Sequence, residues 1–113
     1  MESTDAIEAL GALAQEHRLA VFRLLVQAGA DGLPAGQIAE RMAIPNSSLS
    51  FHLAHLHRAG LVSQERQHRS LIYRADYSAM NALVAYLLEN CCGGDVSCAP
   101  AAECLTSSER KTA

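Results

Sequence analysis

The chain has 113 residues, enough for one domain with a real core. Half of its residues are hydrophobic and 19% are charged, which excludes a chain without a packed core. No apolar run approaches the ~20 residues of a membrane span, and the acidic start is unlike a signal peptide, so the cytoplasm is the predicted compartment and no membrane the predicted partner. In chain order, Thr4 or Asp5 is the expected N-cap of a first helix, with Ile7, Leu10 and Ala14 as its apolar stripe. After a polar break at residues 15–17, Leu19, Phe22, Leu25 and Val26 mark a second helix that ends in a glycine-bearing turn, residues 28–32. Pro34 suits the first turn of a third helix, with Ile38, Ala39 and Met42 facing inward. A turn over residues 43–46 leads to a fourth helix carrying Leu49, Leu53 and Leu56 at i, i+4, i+7 and stopped at Ala59-Gly60. The period then changes. Residues 62–65 and 70–74 read as two strands around a turn at 66–69, and residues 78–92 as a fifth helix.

Charge is placed unevenly. The net charge is −3, yet residues 1–40 carry −4, residues 75–113 carry −3, and residues 41–74 carry +4, with five arginines against Glu65 alone and four histidines besides. Eight of the nine basic residues are arginines, the side chain suited to bidentate contact with phosphates and bases.

Two helices joined by about four residues form a helix-turn-helix, whose second helix can enter a major groove. The start of that helix offers Asn46, Ser47, Ser48 and Ser50, short side chains that exchange hydrogen bonds with bases or phosphates, and Phe51, an apolar group that fits a thymine methyl. His55 lies on the same face, and one of Ser47 and Ser48 is expected to cap the helix. His52 and His57 flank the leucine stripe and read as structural. The hairpin places Arg66, His68 and Arg69 at its tip, where a wing reaches flanking phosphates or a minor groove. The expected fold is mainly α, a winged helix-turn-helix of five helices plus a β-hairpin wing, with double-stranded operator DNA as partner. Residues 79–88 are apolar except Asn81. A helix apolar nearly all round needs a second surface, so a homodimer using this helix and the first is expected. Residues 1–92 form the expected DNA-binding and dimerisation domain, and residues 93–113 a flexible tail.

The run His17 to Leu25, then Ile38-Ala39-Glu40, then Ser50-Phe51-His52-Leu53-Ala54-His55-Leu56-His57-Arg58-Ala59-Gly60-Leu61-Val62 resembles the ArsR/SmtB family, over about residues 6–92. The resemblance implies a homodimeric, winged-helix, metal-responsive bacterial repressor whose apo form binds a palindromic operator and is released by metal. The cysteine pair that many arsenic sensors of that family carry at the start of the third helix is missing: residues 33–37 are Leu-Pro-Ala-Gly-Gln. The zinc sites of other members need histidine on the last helix, and residues 76–92 hold none.

All four cysteines lie between positions 91 and 104. Cys91, Cys92 and Cys98 form a Cys-Cys-x5-Cys pattern that resembles the subgroup of repressors with an arsenic site at the end of the last helix. The implied inducer is As(III) or Sb(III), soft ions matched by three soft thiolates. Adjacent cysteines diverge by about 100° within a regular helix but can converge beside Gly93-Gly94 at its end. Cys104 fits several roles: a spare thiol, a ligand for a methylated arsenical, or the fourth sulfur of a zinc site. A thiol redox sensor or a zinc-type sensor of the same fold is the alternative function. No glycine-rich phosphate loop, nucleophile elbow or paired carboxylates point to an enzyme.

Overall fold

A computed structural model describes residues 1–94; Cys98, Cys104 and the rest of 95–113 lie outside the described residues. The elements run α1 (Ser3–Leu13), α2 (Glu16–Ala28), β1 (Leu33–Pro34), α3 (Ala35–Met42), α4 (Asn46–Arg58), β2 (Val62–Gln67), β3 (Ser70–Ala75) and α5 (Tyr77–Leu87), with 3-10 turns at Gly29–Asp31 and Cys91–Gly94. The sheet is antiparallel with order β1-β3-β2. This is the expected winged helix-turn-helix, five helices and a hairpin, with one added strand.

The leucine stripe of α4 is the centre of the core. Leu49, Leu53 and Leu56 are each at most 1% exposed, and Leu25, Ile38, Leu61 and Val21 close around them. Burying a leucine of this kind contributes about 1.5–3 kcal/mol each. In α2, Phe22 and Leu25 are buried as expected, but Leu19 and Val26 stay exposed and Val21 takes the inward place.

The stripe expected for α1 is inverted. Ala6, Ala9 and Ala12 face the core, while Ile7 is 67% and Leu10 42% exposed. Three alanines at that spacing let the helix backbone lie close to its neighbours, and this outweighs burial of the larger chains. The N-cap is also shifted: it is Glu2, which closes a capping box with Asp5. Arg18 then seals the other end of α1, donating its Nε to the Ala12 carbonyl at 2.7 Å.

Pro34 is not inside a helix. It has extended backbone, is the N-cap of α3, and forms β1 with Leu33 against Ile72 and Tyr73 of β3. Gly32 permits this close approach. Its φ is +66°, and a Cβ there would collide with the Tyr73 carbonyl and the Arg74 side chain. Two residues are too few to show a strand period in sequence, so β1 gave no signal.

The hairpin is longer than expected. Pairing runs from Val62↔Ala75 to Gln67↔Ser70, leaving only His68 and Arg69 as the turn. His68 takes the positive φ of 56° that a tight turn requires. The Asp76 N–H closes the hairpin base by donating to the Leu61 carbonyl at 2.8 Å.

Asp76 also caps α5, its carboxylate accepting from the Ala79 N–H at 3.0 Å. This helix ends at Leu87 rather than near Cys92, and Asn90 with a φ of 59° turns the chain before the Cys91–Gly94 turn. α5 lies against α1, and of its residues only Leu83 is fully buried.

Candidate nucleic-acid interface

The turn between α3 and α4 sets the angle of the helix pair. Ala43 ends α3 in the left-handed region, at φ 56° and ψ 44°. Its N–H and that of Ile44 donate back to the Glu40 and Ala39 carbonyls, both at 3.2 Å. An alanine in this conformation costs about 1 kcal/mol relative to glycine, so the sequence carried no ordinary signal for it.

Pro45 is the N-cap of α4, and no side chain caps this helix. The expectation that Ser47 or Ser48 is used for capping is therefore wrong. A proline at N-cap moves Asn46 and both serines into the first turn, where their side chains point outward. Asn46, Ser47, Ser48, Ser50 and Phe51 are all exposed, and Phe51 is 64% exposed. One face thus joins hydroxyls, an amide, one aromatic ring and the positive end of a helix dipole. His57, expected to pack beside the leucines, is exposed.

His52 is half-buried and leans on two rings. Its centroid lies 5.5 Å from that of His17 in α2 and 5.8 Å from that of Phe51, the latter edge-on at 66°. Its Nδ1 is buried without a hydrogen-bond partner. Burial holds its pKa below the usual histidine value, and the charges of Arg18, His17 and His55 push the same way. His55 is lowered too, by desolvation and then by Arg18 and Arg58, with Glu8 opposing.

The wing carries Arg66, His68 and Arg69, all exposed. Arg74 is not part of this surface. It pairs with Glu65 at 2.8 Å and donates its Nε to the Ala30 carbonyl at 2.8 Å, holding the wing stem to the 3-10 turn that follows α2. Arg66 and Arg69, with Ser70 and Leu71, face Pro34, Ala35 and Gly36 across a cleft of about 290 Å³. Ala35 and Gly36 thus join the basic wing, a juxtaposition made by the β1–β3 pairing. In sequence these small residues showed nothing.

A helix-turn-helix domain family matches residues 13–65. The chain is 31% identical over 85 residues to the transcriptional activator HlyU of Vibrio cholerae, spanning 75% of this chain and 76% of HlyU. The chain belongs to the ArsR family of winged-helix transcriptional regulators. An ArsR-like transcriptional regulator from Rhodococcus superposes with a TM-score of 0.68 at 26% identity, covering 88% of this chain and 89% of that one. A possible transcriptional regulator for arsenical resistance gives 0.63 at 26%, covering 71% and 80%. This ArsR-family chain is therefore a DNA-binding regulator of transcription, not an enzyme.

In this ArsR-family protein Cys91 and Cys92 follow α5 within the 3-10 turn, and Cys91 is partly buried. The expected fifth helix, residues 78–92, is thus shorter at its C-terminal end and holds neither cysteine. The two cysteines stand in a short 3-10 turn beyond the α-helix, not within it. Gly93, with a φ of 68°, gives the turn its second left-handed residue after Asn90. Among the described residues no three His, Cys, Asp or Glu side chains gather to hold a metal ion. No helix among them is long and apolar enough to cross a membrane.

Proposed function

We propose that this regulator is a homodimeric repressor that leaves its operator when As(III) or Sb(III) binds Cys91, Cys92 and Cys98. The observation that carries the reading is the end of α5 at Leu87, which puts Cys91 and Cys92 in a separate glycine-bearing turn after the helix, on the chain leading to Cys98. Three soft thiolates suit a soft trivalent ion, and the link from Gly93 to Cys98 is long enough to fold back. Arsenical resistance, named for one of the similar structures, points the same way. Cys104 is left outside the ligand set.

Dimerisation is supported by Ile7, Leu10 and Leu87, large apolar side chains left exposed on the helices that pack together. Two copies joined there would present two α4 helices to half-sites about 34 Å apart. Asn46, Ser47, Ser48, Ser50, Phe51 and His55 face the groove in this reading, and Arg66, His68 and Arg69 the flanking backbone. Binding one ion to Cys98 and to the two cysteines after α5 shifts the dimer seam and with it the spacing of the two α4 helices. A hundredfold release needs a coupling of about 2.7 kcal/mol between the two sites.

The test is a release assay on a duplex selected by the reduced protein. Arsenite releases wild type, and the Cys91→Ser, Cys92→Ser and Cys98→Ser variants stay bound. Release of all three variants by arsenite refutes the site. Release by peroxide but not arsenite moves sensing to thiol oxidation.

A further inference from the structure

Phe51 is the one large apolar side chain exposed on α4, at 64%. On a helix its neighbours three and four residues away are Ser47, Ser48, Ala54 and His55, so three of the four are small. The ring therefore rises above its surroundings. It is also held. Its edge-to-face contact with His52 is backed in turn by the partly buried His17 of α2, so a line of three rings runs from the start of α2 to the reading face.

We infer that Phe51 is a specificity-determining residue that reads the 5-methyl group of a thymine in the major groove. This rests on the assignment of α4 as the DNA-reading helix. Phenylalanine neither donates nor accepts a hydrogen bond, so it cannot read the polar pattern of a base edge. The major groove presents one apolar group, the thymine methyl, and Phe51 stands where the flanking serines meet base edges. A protein partner fits the patch less well. One ring among Asn46, Ser47, Ser48 and Ser50 is no contiguous apolar surface, and the surrounding segment carries +4. That charge complements nucleic acid. Each half-site of the preferred duplex accordingly carries a thymine that is selected for its methyl group.

The experiment starts with selection from a random duplex library by full-length wild type and by Phe51→Ala at one salt concentration. Each selected thymine is then replaced by deoxyuridine, which removes only the methyl. Wild type enriches a thymine that Phe51→Ala does not. Deoxyuridine at that position weakens wild-type binding about fourfold, the worth of one buried methyl, and leaves Phe51→Ala unchanged. Phe51→Leu, which keeps an apolar contact, retains the sensitivity. Indifference of wild type to deoxyuridine at every selected thymine overturns the inference while leaving α4 as the reading helix. Failure of wild type to enrich any motif removes the DNA assignment itself, and Phe51 reading with it.

Discussion

Arg18 donates its Nε to the Ala12 carbonyl at 2.7 Å, so a charge in the first turn of α2 closes the C-terminal end of α1. The same guanidinium depresses His52 and His55. Arg18→Gln should lose about 1–2 kcal/mol of stability, from the charged hydrogen bond and the helix dipole. It should also raise both histidine pKa values. Thermal melts and a histidine NMR titration read the two effects. Unchanged titrations would show that Arg18 acts through packing alone.

Stability should fall as pH drops below about 6.5. His52 in the folded state is held below its ordinary value, so between the two pKa values the unfolded chain binds more protons, and acid favours unfolding. The effect is absent above the unfolded pKa and complete below the folded one. The groups facing His52 are Arg18, His17 and His55. Replacing His52 with leucine should flatten the slope and stabilise the fold near pH 5.5, since it also removes a buried, unpartnered Nδ1. Denaturation midpoints from pH 5 to 8 decide this.

Gly32→Ala should cost about 2 kcal/mol or more. The backbone there has a φ of +66°, and the new Cβ meets the Tyr73 carbonyl, which belongs to the sheet and cannot easily yield. The measurement is the urea midpoint. Because β1 sets the position of Ala35 and Gly36 beside the wing, DNA affinity should fall as well. An unaffected midpoint would mean that β1 pairs only loosely with β3.

Arg66→Ala and Arg69→Ala should each weaken binding to all duplexes alike and reduce the slope of log K against log salt by about 0.9. Arg74→Ala should instead lower stability, because its guanidinium is occupied by Glu65 and Ala30. A salt series by fluorescence anisotropy separates the roles. A change in preferred sequence for the two wing variants would mean that they read bases.

Ile7→Glu should produce a monomer with an unaltered fold, because Ile7 is 67% exposed and contributes little to the protomer core. Sedimentation equilibrium reads the mass and circular dichroism the fold. Affinity for a two-half-site duplex should drop sharply while single half-site binding persists. A dimer that survives both Ile7→Glu and Leu87→Glu would place the interface elsewhere.

Much of the protein was legible in its residues. The leucines of α4, the Ala59-Gly60 stop, the change of period after Leu61 and the +4 segment named a winged helix-turn-helix, and Asn46, Ser47, Ser48, Ser50 and Phe51 of α4 and the wing-tip residues are exposed. Such features are local: a period of 3.6 or 2, a turn residue or a run of charge depends on near neighbours only. Other features came from contacts between distant segments. Which face of α1 turns inward was decided by close helix packing, which prefers Ala6, Ala9 and Ala12 to Ile7 and Leu10. β1 exists because β3 pairs with it across 38 residues, from Pro34 to Ile72 at the nearest. Arg74 left the basic surface because the fold brought Glu65 and Ala30 to it. α5 ends at Leu87, four residues before Cys91, and the chain then turns at Asn90, which no apolar pattern announces. Pattern identifies what each segment can bury; only the packed chain determines which of the competing faces is buried, because that depends on how closely the backbones can approach.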